Sequence, residues 1–421
     1  MNTFSNNNIA HDKTQSIAKD SPSSSKFLEL IIYLLFLLGP LTGNVIYVLF
    51  HVLSQEFKVS PSAILVAIPS FMFPFAITQL FSGSISDIKG RIPVLIFGLT
   101  LFGIAMILAA LSIDLAIYVI ANVLGGIGFG FINPILIALM TDITAPPNIP
   151  KKMGYLGASA ALGVGLGPFI ASQMILIGWQ SIYILIIIIT FTCLIYFILA
   201  KKPPQKIPEE SGIRVLLTQL SMEWRRAVVI LMILSAFLIA YTYIAINIWT
   251  SRELAGIVEE SFTGLVLGLG GVGGAIMGAL TGFLIKRKSV KMPFIIGSVL
   301  LLSSLTILLS IGDITRSEVF IILAIGWILA GLSGGILFPL VTYYSQILSP
   351  ERRGALAGSV TASYFIGIAL VPTILTPFSD NFGITGVFLI ILVISLVFII
   401  VFGLLYLSAK SLILARSKSI H

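Results

Sequence analysis

The residues with the clearest chemical potential are charged and close together. Gly83, Asp87, Lys89, Gly90 and Arg91 fall within one short stretch. An aspartate four residues before an arginine can form a charge-assisted pair, and a glycine beside them permits a sharp turn. That is the chemistry of a latch, a contact made and released, rather than of bond cleavage. Asp142, farther along, offers a second carboxylate. Hydrolytic chemistry is poorly served. Gly331-Leu332-Ser333-Gly334-Gly335 has the outline of a nucleophile elbow, but a serine nucleophile needs a base beside it. The histidines are His11, His51 and His421, two of them in terminal stretches. Gly268-x-Gly270-x-x-Gly273 mimics a dinucleotide fingerprint, yet it lies in an apolar run with no strand before it. The single Cys193 cannot form an internal disulfide. We therefore expect no enzyme, no metal site and no cofactor.

The elements that must position these residues follow from composition. Only 10% of the 421 residues are charged, and 57% are hydrophobic. A soluble domain carries roughly 25% charged residues. This balance excludes a cytosolic enzyme, a disordered scaffold and a secreted disulfide module. It implies a chain that crosses a lipid bilayer many times. Apolar runs of about 20 residues, enough to cross ~30 Å of hydrocarbon, predict twelve helices. They lie at 28–53, 62–84, 93–112, 116–141, 153–176, 181–200, 227–250, 262–284, 292–312, 319–347, 354–377 and 386–408. Residues 1–27 read as a disordered polar tail without the apolar core of a signal peptide.

Basic residues orient the chain. With the N-terminus inside, 22 of the 25 Lys and Arg residues fall in cytoplasmic segments, and only Lys58, Arg252 and Arg316 fall outside. Both termini are therefore expected in the cytoplasm of an inner or plasma membrane. The same distribution accounts for the net charge of +8 without nucleic acid as a partner.

The chain divides in two. A linker at 201–226, with Pro203, Pro204 and Pro208, separates the six helices of 28–200 from the six of 227–408, and 409–421 forms a second cytoplasmic tail. The halves echo one another. Gly126-x3-Gly130-x3-Pro134 in helix 4 recurs as Gly331-x3-Gly335-x3-Pro339 in helix 10, an offset of 205. Gly83 at the end of helix 2 corresponds to Gly282 at the end of helix 8, an offset of 199. Lys151-Lys152-x-Gly154 matches Arg352-Arg353-Gly354. Duplicated halves place a substrate site between them, near the bilayer midplane.

Gly83-x3-Asp87-x2-Gly90-Arg91, flanked by Gln79-Leu80-Phe81-Ser82 and Pro93-Val94-Leu95, resembles the signature loop of the major facilitator superfamily. In that family the loop is an inner latch, and Asp142 falls where a third member of its charge cluster often lies. Helix 5, Gly154-x8-Gly163-x3-Gly167-Pro168, is similar to the family's antiporter motif, with Ala171 and Ser172 in place of a final glycine pair. Gly178-Trp179-Gln180-x-x-Tyr183 resembles a further family motif at the start of helix 6. The resemblance spans residues 28–408, and it is strongest to twelve-helix bacterial drug:proton antiporters of the bicyclomycin-resistance type. It implies an all-α membrane protein of two pseudo-symmetric six-helix bundles that rock about a central site.

The chain departs from that pattern where protons are usually handled. Asn122 stands in place of an intramembrane arginine, Asn44 stands near the place of an acid in helix 1, and Lys286 stands where the second half would repeat Asp87. None of the 17 acids falls in the middle of an expected helix. A charge there costs about 2.5–3.5 kcal/mol and is kept mainly for function. Asp87, Asp142 and Glu253 are the acids left to carry protons, all from helix ends.

In the family, helices 1, 4, 7 and 10 line the cavity. This suggests Asn44, Tyr47, Asn122, Asn133, Tyr241, Asn247 and Tyr343 as substrate contacts. Amides and phenols in hydrocarbon need hydrogen-bond partners, and interhelical bonding would satisfy them equally well. We expect a monomeric secondary transporter for a small-molecule substrate. Efflux of drugs or other amphipathic molecules by proton antiport is the leading expectation. A metabolite exporter or uncoupled facilitator is the alternative, and a non-transporting receptor the remote one.

Overall fold

The computed structural model describes residues 22–145, 148–200, 218, 221–287, 290–311, 315–348 and 353–418. The tail expected over 1–27 lies outside them as far as residue 21, as do most of the 201–226 linker and the last three residues. The described residues are helical almost throughout. Inside a bilayer only a helix or a closed barrel satisfies every backbone polar group, and these apolar runs take the helix.

The long helices are α1 (Pro22–Glu56), α2 (Ala67–Lys89), α3 (Arg91–Ala110), α4 (Leu115–Ile143), α5 (Ile149–Met174), α6 (Gln180–Leu199), α7 (Ala227–Ala255), α8 (Glu260–Arg287), α9 (Lys291–Leu308) and α10 (Arg316–Ile347). Their ends follow local chemistry. Asp114 caps α4 by accepting the Ile117 N–H at 2.9 Å. Thr315 and Glu318 form a reciprocal capping box at the start of α10. Helix α1 begins at Pro22, six residues before the expected start.

The last segment, Arg353–Lys418, is continuous except at Gly383, where φ is 65° and ψ −169°. Among the described residues, eleven segments are long and apolar enough to span a membrane, the last of them 57 residues. As one helix it would run about 85 Å, far more than one bilayer. The break at Gly383 divides it into α11 (353–382) and α12 (384–418). The loop expected over 378–385 is thus helix apart from this glycine, the residue best suited to positive φ.

The repeat seen in the sequence is a repeat of contacts. A Cβ on Gly126 of α4 would strike the Phe71 carbonyl of α2, and one on Gly130 would strike Thr78 and press on the Phe75 carbonyl. A Cβ on Gly331 or Gly335 of α10 would strike the carbonyls of Gly270 or Gly274 of α8. These pairs preserve the offsets of 205 and 199. Gly163 of α5 lies against the Leu37 carbonyl of α1 as Gly367 of α11 lies against that of Phe237 of α7. Within the halves, α1 packs on α5, and α4 on α2 and α3; α7 packs on α11, and α10 on α8 and α9. Between halves, α5 packs on α8 and α2 on α11.

One end of the bundle carries Lys89, Arg91, Lys151, Lys152, Arg226 and Lys291, and is called here the basic end. The halves meet midway along the helices and toward the opposite end. Gly165 of α5 abuts Gly268 and Gly271 of α8, Ser172 abuts Gly264, and the rings of Phe75 and Phe365 are 4.3 Å apart. Toward the basic end, Gly154 and Gly157 of α5 and Gly282 of α8 face open space, and Tyr155 is exposed. The described residues are therefore closed across one end and splayed at the other.

Candidate functional site

The residues expected to form a latch converge at the basic end. Gly90 holds φ at 90°, which lets α2 stop and α3 start without a spacer. Arg91 opens α3 and points back over the last turn of α2. Its Nη1 donates to Asp87 at 3.1 Å, and its Nε donates to Asp142, in the last turn of α4, at 2.5 Å. Arg91 is 8% exposed. A guanidinium this buried requires its carboxylates, because an unpaired buried charge costs about 3–5 kcal/mol. All three groups belong to the first half. Gly83 faces open space, since a Cβ there would meet nothing within 4 Å.

Helix α5 uses its glycines on two faces. Gly163 and Gly167 let it settle on the Leu37 and Leu41 carbonyls of α1. Gly165, not singled out from the sequence, faces α8. Pro168 lies within α5, and its carbonyl borders Gly264 of α8. Gly154 is exposed at the basic end. A second ion pair, Lys152 with Glu29, ties the start of α5 to α1.

The seven expected substrate contacts fall in several different surroundings. Asn122 lines a small cavity inside the first half with Thr42, Tyr118 and Tyr183; its volume of about 20 Å³ suits a single water. Its Nδ2 donates to the Tyr118 carbonyl at 2.8 Å, and the Tyr118 and Tyr183 hydroxyls are hydrogen-bonded. Tyr241 is buried and stacks on Phe237, with Gly367 of α11 nearby. Asn44, Tyr47 and Asn247 are buried, and the Tyr47 carbonyl accepts from the Ser251 hydroxyl where α1 meets α7. Asn133 and Tyr343 are half-buried, the latter against Tyr344.

A set of aromatic residues that sequence reading missed joins α7, α10 and α11. Tyr243 lies 5.2 Å from Trp327 and 5.6 Å from Phe338, and Phe338 lies 5.1 Å from Tyr364, between ring centroids. Tyr364 donates to the Phe338 carbonyl at 3.2 Å and contacts the Thr342 hydroxyl. Trp327 donates to the Leu267 carbonyl of α8 at 3.1 Å, which fixes the ladder's buried end. No charged side chain belongs to this ladder. The glycine-rich decoys resolve as packing. Gly331 and Gly335 seat α10 on α8, and Ser333 donates to the Gly297 carbonyl at 2.8 Å.

Comparisons with known proteins agree with this architecture. A family model described as Major Facilitator Superfamily matches residues 32–314 and 253–418. The uncharacterised MFS-type transporter YvkA of Bacillus subtilis (strain 168) is 30% identical over 164 residues, 38% of this chain and 37% of that protein. Multidrug resistance protein 1 of the same organism is 25% identical over 311 residues, 71% of this chain and 77% of that protein. Among solved structures, a bacterial homologue of the human lysosomal transporter Spinster is similar with a TM-score of 0.69 and 13% identity. That match covers 93% of this chain and 98% of the other, and it speaks for the fold alone. With paired six-helix halves, a signature loop built as an ion-paired turn and a family match over nearly every described helix, the chain belongs to the major facilitator superfamily of multi-pass membrane transporters for small molecules.

Proposed function

We propose that this chain is a plasma-membrane exporter of amphipathic small molecules that works by alternating access. The observation that carries this reading is the uncharged aromatic ladder of Tyr243, Trp327, Phe338 and Tyr364. Stacking and cation–π contacts suit flat, amphipathic or cationic substrates, whereas carboxylates or sugar phosphates need fixed positive charge. The likeness to a multidrug resistance protein supports the same substrate class.

In this reading the basic end faces the cytoplasm, with both termini there. The halves 28–200 and 227–408 rock about their seam, joined by the 201–226 linker, and the carrier acts as a monomer. The described arrangement is then the inward-facing one. The latch of Asp87, Arg91 and Asp142 holds the ends of α2, α3 and α4 together as one rigid corner while the halves move. Protons drive export. Ethidium loaded into proteoliposomes or cells tests the reading. Export that accelerates with an imposed pH gradient is the expected result, and no movement of ethidium or similar lipophilic cations under any gradient would overturn it.

A second reading, an uncoupled facilitator, is favoured by one observation. Among the described acids, Asp87, Asp142, Glu29 and Glu223 are held in ion pairs, and none lies in the middle of a span. Transport that ignores the pH gradient would select it.

A further inference from the structure

Helix α5 and the turn after it expose one stripe from end to end. Tyr155, Leu162, Phe169 and Leu176 are all exposed, and a seven-residue spacing keeps them on nearly one face. The stripe runs past the level at which Gly165 and Ser172 pack against α8. It therefore faces the bilayer and not the space between the halves. On α1, Lys26, Leu30, Tyr33 and Leu37 share a face by spacings of three and four residues. That face meets α5: Leu37 touches Gly163, and the Tyr33 and Tyr155 rings stand edge to face, 6.1 Å apart at 83°. Between the two helices runs a shallow groove.

The groove is cationic at the basic end and apolar deeper in. Lys151 is exposed, and its Nζ lies 5.8 Å over the Tyr155 ring. Lys152 is paired with Glu29, and Lys26 is exposed about one turn before Glu29. Three ammonium groups thus face one carboxylate, whereas Arg91 of the latch is answered by two. Farther from the basic end the exposed residues are Leu34 of α1 and Leu162 and Phe169 of α5. Cation, then ring, then alkyl is the order in which a bilayer presents phosphate, glycerol and acyl chain. Tyrosines favour the headgroup level, and basic pockets between membrane helices favour anionic headgroups. A zwitterionic headgroup brings a cation of its own, which the excess positive charge repels.

We propose that the basic end of the α1–α5 groove binds the headgroup of an anionic phospholipid, with Lys26 and Lys151 taking the phosphate and Tyr33 and Tyr155 flanking the glycerol. Lys152 stays with Glu29. A lipid seated there bridges α1 and α5 and braces the first half where the two helices carry their one ion pair. The site requires only that the helices span a bilayer, and it holds whatever the cargo and whichever way it moves.

Native mass spectrometry of the full chain tests this, with dioleoyl-phosphatidylglycerol or dioleoyl-phosphatidylcholine added to the detergent-purified protein. The parent should retain one phosphatidylglycerol in preference to phosphatidylcholine. K26Q/K151Q, two exposed positions, should weaken that retention roughly ten-fold. K410Q removes an exposed lysine of α12 and should leave it unchanged. Melting should agree: phosphatidylglycerol raises the melting temperature of the parent and of K410Q but not of K26Q/K151Q, while all three melt alike in phosphatidylcholine. Equal retention of the two lipids by the parent would overturn the site, as would a loss in K410Q as large as in K26Q/K151Q. Equal thermal protection by inorganic phosphate without lipid would overturn the lipid as its occupant.

Discussion

Arg91 and Asp142 are 51 residues apart in sequence and 2.5 Å apart in space, one at the first turn of α3 and the other in the last turn of α4. Asp87 completes the arrangement at 3.1 Å and is the more exposed carboxylate. The shorter and drier contact should therefore matter more. Asp142→Asn is expected to slow ethidium export at least ten-fold, Asp87→Asn less, and Arg91→Ala at least as much as Asp142→Asn. Losing one partner of a buried pair costs about 3–5 kcal/mol, so melting in detergent should shift down together with turnover. Equal export rates in all three variants would show that the pair has no part in transport.

The glycines of α5 separate into sensitive and insensitive positions. Gly163→Ala would drive a methyl into the Leu37 carbonyl, and Gly367→Ala would meet that of Phe237 in the matching place of the other half. Backbone cannot yield as a side chain can, so each change should cost about 1–3 kcal/mol as overpacking. Gly154→Ala meets nothing within 4 Å and should be neutral or slightly stabilising. Thermal unfolding of the three purified variants checks this order, and a melting loss in Gly154→Ala equal to that of Gly163→Ala would contradict it.

These two cases mark what the sequence made legible. Residues with a unique physical role were readable from type and spacing: Gly90 as a positive-φ turn, Arg91 with its carboxylates, and the Gly126-x3-Gly130 repeat that reappears as Gly331-x3-Gly335. The stretch 378–385 reads as a loop between two apolar runs, whereas the structure keeps it helical apart from Gly383. Tyr241 and Tyr243 are two residues apart, and a helix turns about 200° between them. One stacks on Phe237 of its own helix, and the other enters the aromatic ladder. Which face meets the partner half depends on tertiary packing, which no local pattern encodes in a helix apolar all round.

Asn122 illustrates the cost of that uncertainty, and its position makes a clean prediction. It sits with Thr42, Tyr118 and Tyr183 around a cavity inside the first half. Asn122→Ala and Tyr183→Phe should each lower stability by about 1 kcal/mol through a lost hydrogen bond. Neither should alter the concentration of ethidium that half-saturates export. A several-fold change in that concentration, with melting unaffected, would return Asn122 to the substrate site.

The aromatic ladder makes the opposite prediction. Tyr243 is half-buried, and its ring bridges Trp327 and Phe338. Tyr243→Ala removes the central rung, while Tyr243→Phe keeps the ring and deletes only the hydroxyl. If substrates stack there, the alanine variant should weaken half-saturation for flat cations such as ethidium by about ten-fold, as a cation–π contact of ~1–2 kcal/mol implies. The phenylalanine variant should stay within about two-fold, since the ring carries the attraction. A structural role alone would lower the melting temperature and the maximal rate of the alanine variant without touching half-saturation. The split between these two quantities therefore decides whether the ladder binds cargo or only braces α7 against α10.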